Sequence, residues 1–325
     1  LQVPASDIRS TIFGHPEFEA FNESVMALFE EWRAAHVRKL KDLGPGVSPK
    51  ALISELSESL LNMFHKIPLI DSYDVYQHLM TYWAETMQDD VYLIVGDGWR
   101  EAAKLRLIVN TKGAKNKEKP DITAGKKKYR SDLIPPALVT ARFFPDAQAA
   151  IDELEAKRAA LSQQMDELRD EHEGDEGFLS AVIGEDDTAR IAKGDLTARL
   201  REIKDDPELD GERAVLEQYL GLMDQDSATA REIKDRRAAL DAELAVKYAE
   251  LTEDEVKALV VDDKWLSALA AEVQSELHRI SQALTARIRE LAERYESTLP
   301  ELMNEVEALA LSVEEHLKRM GAVRK

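Results

Sequence analysis

Apolar residues near the C-terminus recur at helical spacing. Leu266, Leu269, Val273, Leu277, Ile280, Leu284, Ile288, Leu291 and Tyr295 step by 3, 4, 4, 3, 4, 4, 3 and 4. The pattern repeats every eleven residues and continues through Leu299, Leu302 and Val306. A period of about 3.67 residues per turn keeps one stripe aligned along a nearly straight helix. Such a stripe is built to pack against other helices. The spacing predicts a helix over roughly 263–297. A final helix follows Pro300 and runs to about Met320, where Gly321 ends it.

Upstream, the same reading gives mostly helices. Phe18, Phe21, Val25, Leu28, Phe29, Trp32 and Leu40 mark one face of a helix over about 17–43, closed by Gly44-Pro45-Gly46. Ser48 and Pro49 read as N-cap and first helical residue of a second helix, to about 65. A helix over about 73–88 is followed by an extended piece, Val91–Val95, a Gly96-Asp97-Gly98 turn, and a short helix or strand up to Asn110. From about 136 the chain reads as almost purely helical. Ala147, Ile151, Leu154, Arg158, Leu161, Met165, Leu168 and His172 form a heptad seam with one charged intruder. Leu216, Leu220, Met223, Ala230, Ile233, Arg237, Leu240 and Leu244 continue a similar seam over about 208–248, again with one Arg. Two such helices joined by about 35 residues fold back as an antiparallel hairpin. Thr252-Glu253-Asp254-Glu255 has the form of a capping box, and residues 260–263 read as a break or restart.

The expected fold is therefore mainly α. A mostly helical N-terminal body with a minor strand or hairpin element spans 1–143, a long antiparallel coiled-coil arm spans 144–251, and C-terminal docking helices span 252–325. Composition agrees. The 325 residues are 33% charged and only 6% aromatic, which suits long solvated helices. The net charge of −20 argues against a protein that coats nucleic acid over its whole surface. Cys is absent, which removes disulfides, thiolate nucleophiles and Cys-based zinc sites and fits a reducing, cytoplasmic setting. No apolar run approaches the roughly 18 residues of a membrane span, so no membrane partner is expected.

One segment departs from the acidic background. Residues 112–130, KGAKNKEKPDITAGKKKYR, carry Lys112, Lys115, Lys117, Lys119, Lys126, Lys127, Lys128 and Arg130 against Glu118 and Asp121, a net +6. A Gly/Lys/Pro-rich stretch of this kind reads as a loop or hairpin tip. It is either a solvated loop or one that touches phosphates through charge alone. The aromatic residues Tyr73, Tyr76, Tyr82, Trp83, Tyr92 and Trp99 crowd into 67–99 and read as a small core, with a base-stacking surface as the other reading.

Signs of catalysis are missing. The histidines at 15, 36, 65, 78, 172, 278 and 316 include no i, i+3 or i+4 pair. There is no Gly-x-Gly-x-x-Gly, no phosphate-binding Walker loop and no Gly-x-Ser-x-Gly. Asp132-Leu133-Ile134-Pro135-Pro136-Ala137 is superficially similar to the Asn-Pro-Pro-aromatic tetrapeptide of amino-methyltransferases. It lacks both the Asn and the aromatic, and reads as a turn before a helix. Catalytic, cofactor-binding and metal residues are expected to be absent.

Several stretches resemble one family. They are Ile67-Pro-Leu-Ile-Asp-Ser-Tyr-Asp-Val-Tyr-Gln-His-Leu-Met-Thr-Tyr-Trp-Ala-Glu-Thr-Met-Gln-Asp-Asp-Val-Tyr-Leu-Ile94, Val260-Val-Asp-Asp-Lys-Trp-Leu266, Arg287-Ile-Arg-Glu-Leu-Ala-Glu-Arg-Tyr295 and Met320-Gly-Ala-Val323. Together they are similar to the C-terminal half of the methylation subunit of type I restriction–modification systems. The resemblance implies a parent that is a DNA adenine-N6 methyltransferase using S-adenosylmethionine. Its catalytic Asn-Pro-Pro-aromatic motif and its cofactor motif lie in a preceding domain, and neither occurs here. The chain starts at Leu1 as a truncation after that domain would, and is expected to be inactive by itself. Its implied partners are the specificity subunit of the same system, DNA in the assembled complex, and the restriction subunit. Leu266, Leu269, Val273, Leu277, Ile280, Leu284, Ile288 and Leu291 are the candidate docking residues. Their alternative use is packing on the chain's own body. A purely structural coiled-coil scaffold without a nucleic-acid role is the competing reading of the whole chain.

Overall fold

The computed structural model describes residues 7–109, 118–172, 174, 177–182, 191–294 and 299–320. Along the chain run α1 (Ile8–Phe13), α2 (Pro16–Lys41), α3 (Pro49–Phe64), α4 (Ser72–Tyr82), α5 (Gln88–Asp97) and α6 (Trp99–Ala102). Three short strands follow, β1 (Arg106–Leu107), β2 (Ile122–Ala124) and β3 (Lys127–Arg130). Then come α7 (Pro136–Phe143), α8 (Pro145–His172), α9 (Lys193–Glu202), α10 (Asp210–Glu250), α11 (Glu253–Lys257), α12 (Ser267–Arg294) and α13 (Leu299–Arg319). The fold is mainly α, with one small sheet. The chain forms two compact units. One combines Leu1–Gly96 with Val261–Lys325, and the other is Asp97–Val260. These boundaries differ from the expected 1–143, 144–251 and 252–325. They depend on α12 returning to the N-terminal helices across some 200 residues, which local periodicity does not encode.

In the first unit the helix starts are set by their caps. His15, Ser48 and Asp71 each accept a backbone N–H of the following turn, and Pro16 and Pro49 sit where their missing N–H costs nothing. α12 packs on α1, α2 and α4, and α3 packs on α2 and α4. Phe29 and Trp32 of α2, Leu56 and Phe64 of α3, and Leu79 of α4 are completely or almost completely enclosed. The expected strand Val91–Val95 is helical instead, as part of α5. Its burial follows the helical period: Met87, Asp90, Val91 and Ile94 are buried while Tyr92 is 57% exposed. Tertiary packing overrides the β-branched preference of Val-Tyr-Leu-Ile-Val. Two segments are π-helical, Trp83–Met87 and Ala258–Leu266. The second replaces the break expected at 260–263. It buries Leu259, Val260, Val261, Trp265 and Leu266 without interrupting the helix.

In the second unit α8 and α10 pack antiparallel, with Arg158 reaching Asp226 and Arg237 reaching Glu155. The two charged intruders of the heptad seams are thus partnered across the helix pair. Ile151, Leu161 and Leu168 of α8 face Leu216, Ile233, Leu240 and Leu244 of α10 in the buried seams. A second cluster joins Leu161, Leu168, Leu179, Leu196, Ile203 and Leu216. The sheet has strand order β1-β3-β2, all antiparallel, with Leu107 and Ile122 both opposite Tyr129. As expected, the Pro-Pro segment is a turn. Ile134 is buried, its carbonyl accepts from the Ser131 and Tyr248 hydroxyls, and Pro136 opens α7. Thr252 and Glu255 form the capping box reciprocally.

Candidate functional site

The basic segment is partly a β-hairpin. Ala124 pairs with Lys127, so Gly125 and Lys126 make a two-residue turn. Gly125 has φ +62°, the left-handed value that the first central residue of a type II′ turn requires. Lys126 sits at the apex, with Lys127 and Lys128 directly after it, all exposed. Strand alternation sends Lys127 and Lys128 to opposite faces. The root of the hairpin is fixed. The Thr123 N–H donates to Asp241 of α10 at 3.0 Å, Ser131 N–H donates to Asp121, and Ile122 is buried.

Arg130 belongs to a different set. With Arg106 it forms a four-membered charge cluster against Glu118 and Asp132, at 2.7–3.5 Å. Its two positive and two negative charges cancel. The Arg106 guanidinium holds the Glu118 carboxyl below its usual range, and Glu118 and Asp132 raise that of Arg106 further. Arg130 thus anchors the base of the hairpin. Lys119 is exposed beside Glu118, and Lys112, Lys115 and Lys117 lie outside the described residues.

The candidate docking stripe divides in two. Leu266, Leu269, Val273, Leu277 and Ile280 are at most 6% exposed and belong to the core of the first unit. This is the packing alternative, taken by five of the eight candidate residues. Leu284 and Ile288 are half-buried and line an apolar groove with Phe18, Phe21 and Leu69, and Leu291 is half-buried beyond them. The continuation of the pattern is of another kind. Every side chain described in α13 is exposed, including Leu302, Val306, Leu309, Val313 and Leu317. The sequence period shows both helices as amphipathic but does not say which of them finds cover within the chain.

The first unit also holds a buried polar cluster that the sequence reading passed over. The Asp90 carboxylate receives Lys264 Nζ at 2.6 Å and the Trp265 indole N–H at 2.8 Å, and the Tyr82 hydroxyl donates to the Lys264 carbonyl at 3.1 Å. Asp90 and Lys264 side chains are 6% and 12% exposed. Burial pushes the Asp90 carboxyl above its usual range despite the pull of Lys264, and burial likewise raises the Tyr82 phenol. Asp90 and Lys264 each fall at helical spacing from apolar residues, but nothing near either in the sequence pairs them. The aromatic residues expected to form a small core divide evenly: Trp83 and Trp99 are buried, Tyr76 and Tyr82 half-buried, and Tyr73 and Tyr92 exposed.

Among the described residues no group of three or more His, Asp or Glu is placed to hold a metal ion, and no helix is long and apolar enough to cross a membrane. The histidines serve local contacts. The His36 ring meets the Trp32 carbonyl, His78 meets Glu272, and His278 meets Arg9. No protein-family model matches the chain, and no curated protein or solved structure matches it either.

Proposed function

We propose that the chain is the non-catalytic, assembly and DNA-embracing portion of a type I restriction–modification methylation subunit, and that α13 docks it onto the specificity subunit. The observation that carries the reading is α13, an amphipathic helix of 21 residues with its apolar side uncovered. The apolar face is broad. Met303 and Ala310 adjoin the stripe of Leu302, Val306, Leu309 and Val313, which gives three apolar positions per heptad. Two per heptad suit a single partner helix, whereas three suit a groove between two helices. A pair of spacer helices, as the resemblance implies for the specificity subunit, supplies such a groove. Glu301, Glu305 and Glu307 flank the N-terminal half of the stripe, so the complementary groove carries a basic rim. The apex lysines Lys126, Lys127 and Lys128 then contact DNA phosphates, adding affinity without sequence choice. S-adenosylmethionine belongs to the parent's catalytic domain.

Co-purification with the specificity subunit tests the docking. Val306→Asp with Leu309→Asp abolishes it and leaves the helical circular dichroism intact, whereas Leu277→Asp unfolds the first unit. Retained co-purification of the α13 variant refutes the reading. For the DNA role, reversing Lys126, Lys127 and Lys128 to Glu in the full assembly lowers the slope of log affinity against log salt by up to about 3, at roughly 0.9 per phosphate contact. A structural scaffold without a nucleic-acid role leaves DNA binding unchanged.

A further inference from the structure

The second unit contains a cleft of about 330 Å³ that assembly and DNA contact leave unused. Tyr248, Leu251 and Val256 line it and are all buried. The Tyr248 hydroxyl is already engaged with the Ile134 carbonyl, so this residue offers the cleft its ring. Tyr129 of β3 adds a second, half-buried aromatic ring, and Arg100 and Lys104 supply positive charge. Lys104 pairs with Glu101, but both side chains are more than 60% exposed, and an ion pair that exposed yields readily to a competing anion. Arg100 has no carboxylate partner among the described residues. Lys127, two residues before Tyr129, shares its face of the strand.

Apolar surface, an aromatic ring and an uncommitted guanidinium in one cleft match a ligand that is flat at one end and anionic at the other. The volume lies at the small end of ligand pockets, which run from about 300 to 1,000 Å³. It holds one ring system and its substituent. Arg presents a planar fork of donors suited to phosphate oxygens. We propose that this cleft binds a mononucleotide, with the base against Tyr129 and the apolar residues and the phosphate on Arg100. The proposal goes beyond the assembly reading and stands whether or not α13 docks.

The test is isothermal titration of the full chain with adenosine 5′-monophosphate, adenosine and inorganic phosphate as separate probes. The expected result is saturable binding of the monophosphate, at least tenfold tighter than either part alone. Arg100→Glu weakens it at least tenfold. Ala249→Phe, at an exposed position lining the cleft, fills the space and abolishes it with the circular dichroism unchanged. Tyr129→Phe retains binding and Tyr129→Ser loses it, because the ring and not the hydroxyl makes the contact. No saturable binding up to millimolar monophosphate overturns the proposal. So does phosphate binding as tightly as the nucleotide, or an Ala249→Phe protein that binds as well as the parent.

Discussion

Replacing Asp90 with Ala removes from Lys264 and Trp265 an acceptor that both reach at under 3 Å in an almost dry site. Breaking one side of a buried ion pair costs about 3–5 kcal/mol, because the remaining charge stays desolvated. Lys264 keeps 12% exposure, which places the expected loss toward the lower end, about 3 kcal/mol. Asp90→Asn is milder. It keeps an oxygen for the Trp265 N–H, so its cost is smaller than that of the Ala variant. Replacing both partners, Asp90→Leu with Lys264→Met, removes both desolvation terms and falls well short of the sum of the single losses. The assay is urea unfolding followed by tryptophan fluorescence, which reports on Trp265 within the affected unit. pH adds a second signature. A carboxyl raised by folding binds its proton more tightly in the native state than in the unfolded chain. Its contribution to stability is therefore largest below the ordinary value near 4 and shrinks as pH rises through the native value. Measured against Asp90→Asn, the parent protein loses stability as pH rises above about 4. An Asp90→Ala protein within about 0.5 kcal/mol of the parent, or a double variant as unstable as the summed singles, refutes the reasoning.

The remaining predictions concern single devices. Glu255→Gln keeps an oxygen for the Thr252 N–H but removes the charged contact with Lys247, costing about 0.2–1 kcal/mol in urea unfolding. Because hydrogen bonds from Lys247 and Thr252 hold the Glu255 carboxyl below its usual range, its stabilisation is present above the unfolded value and disappears as pH falls through the native one, and the Gln variant lacks that loss. A double-mutant cycle on Arg158 and Asp226, whose side chains are 51% and 24% exposed, gives about 0.2–1 kcal/mol that fades with salt. Leu277→Ala, in a buried position of α12, costs about 2–5 kcal/mol by thermal unfolding. Leu309→Ala, on the uncovered face of α13, stays within about 0.5 kcal/mol.

How much of this was legible in the sequence depends on whether the signal is local. Caps and helix spans are local. Ser48-Pro49 and Thr252–Glu255 mark starts that the structure keeps. The helix pair α8–α10 was legible because both seams keep a helical period, and the Arg in each seam made sense only once Asp226 and Glu155 appeared opposite. The strand expected at 91–95 failed because residue preference favours extension there, while burial of Val91 and Ile94 one turn apart decides for a helix. Which stripe is core and which is uncovered could not be read from period. Leu277 and Leu309 sit in equally regular patterns, and only the packing of α12 on α1, α2 and α4 separates them. The buried pairing of Asp90 with Lys264 spans 174 positions and has no local signature. For the basic segment, charge located the apex lysines, but Arg130 differs from them only through the cluster it forms with Arg106, Glu118 and Asp132.

The uncovered face of α13 also fixes the temperature behaviour of whatever assembly covers it. The face is apolar, with Met303 and Ala310 beside Leu302, Val306, Leu309 and Val313. Removing such surface from water carries a negative heat-capacity change, and the drive to do so weakens on cooling. A complex held through this helix is therefore tighter at growth temperature than in the cold room. The enthalpy of covering the face becomes steadily more favourable as the temperature rises, and cooling weakens any contact made through it.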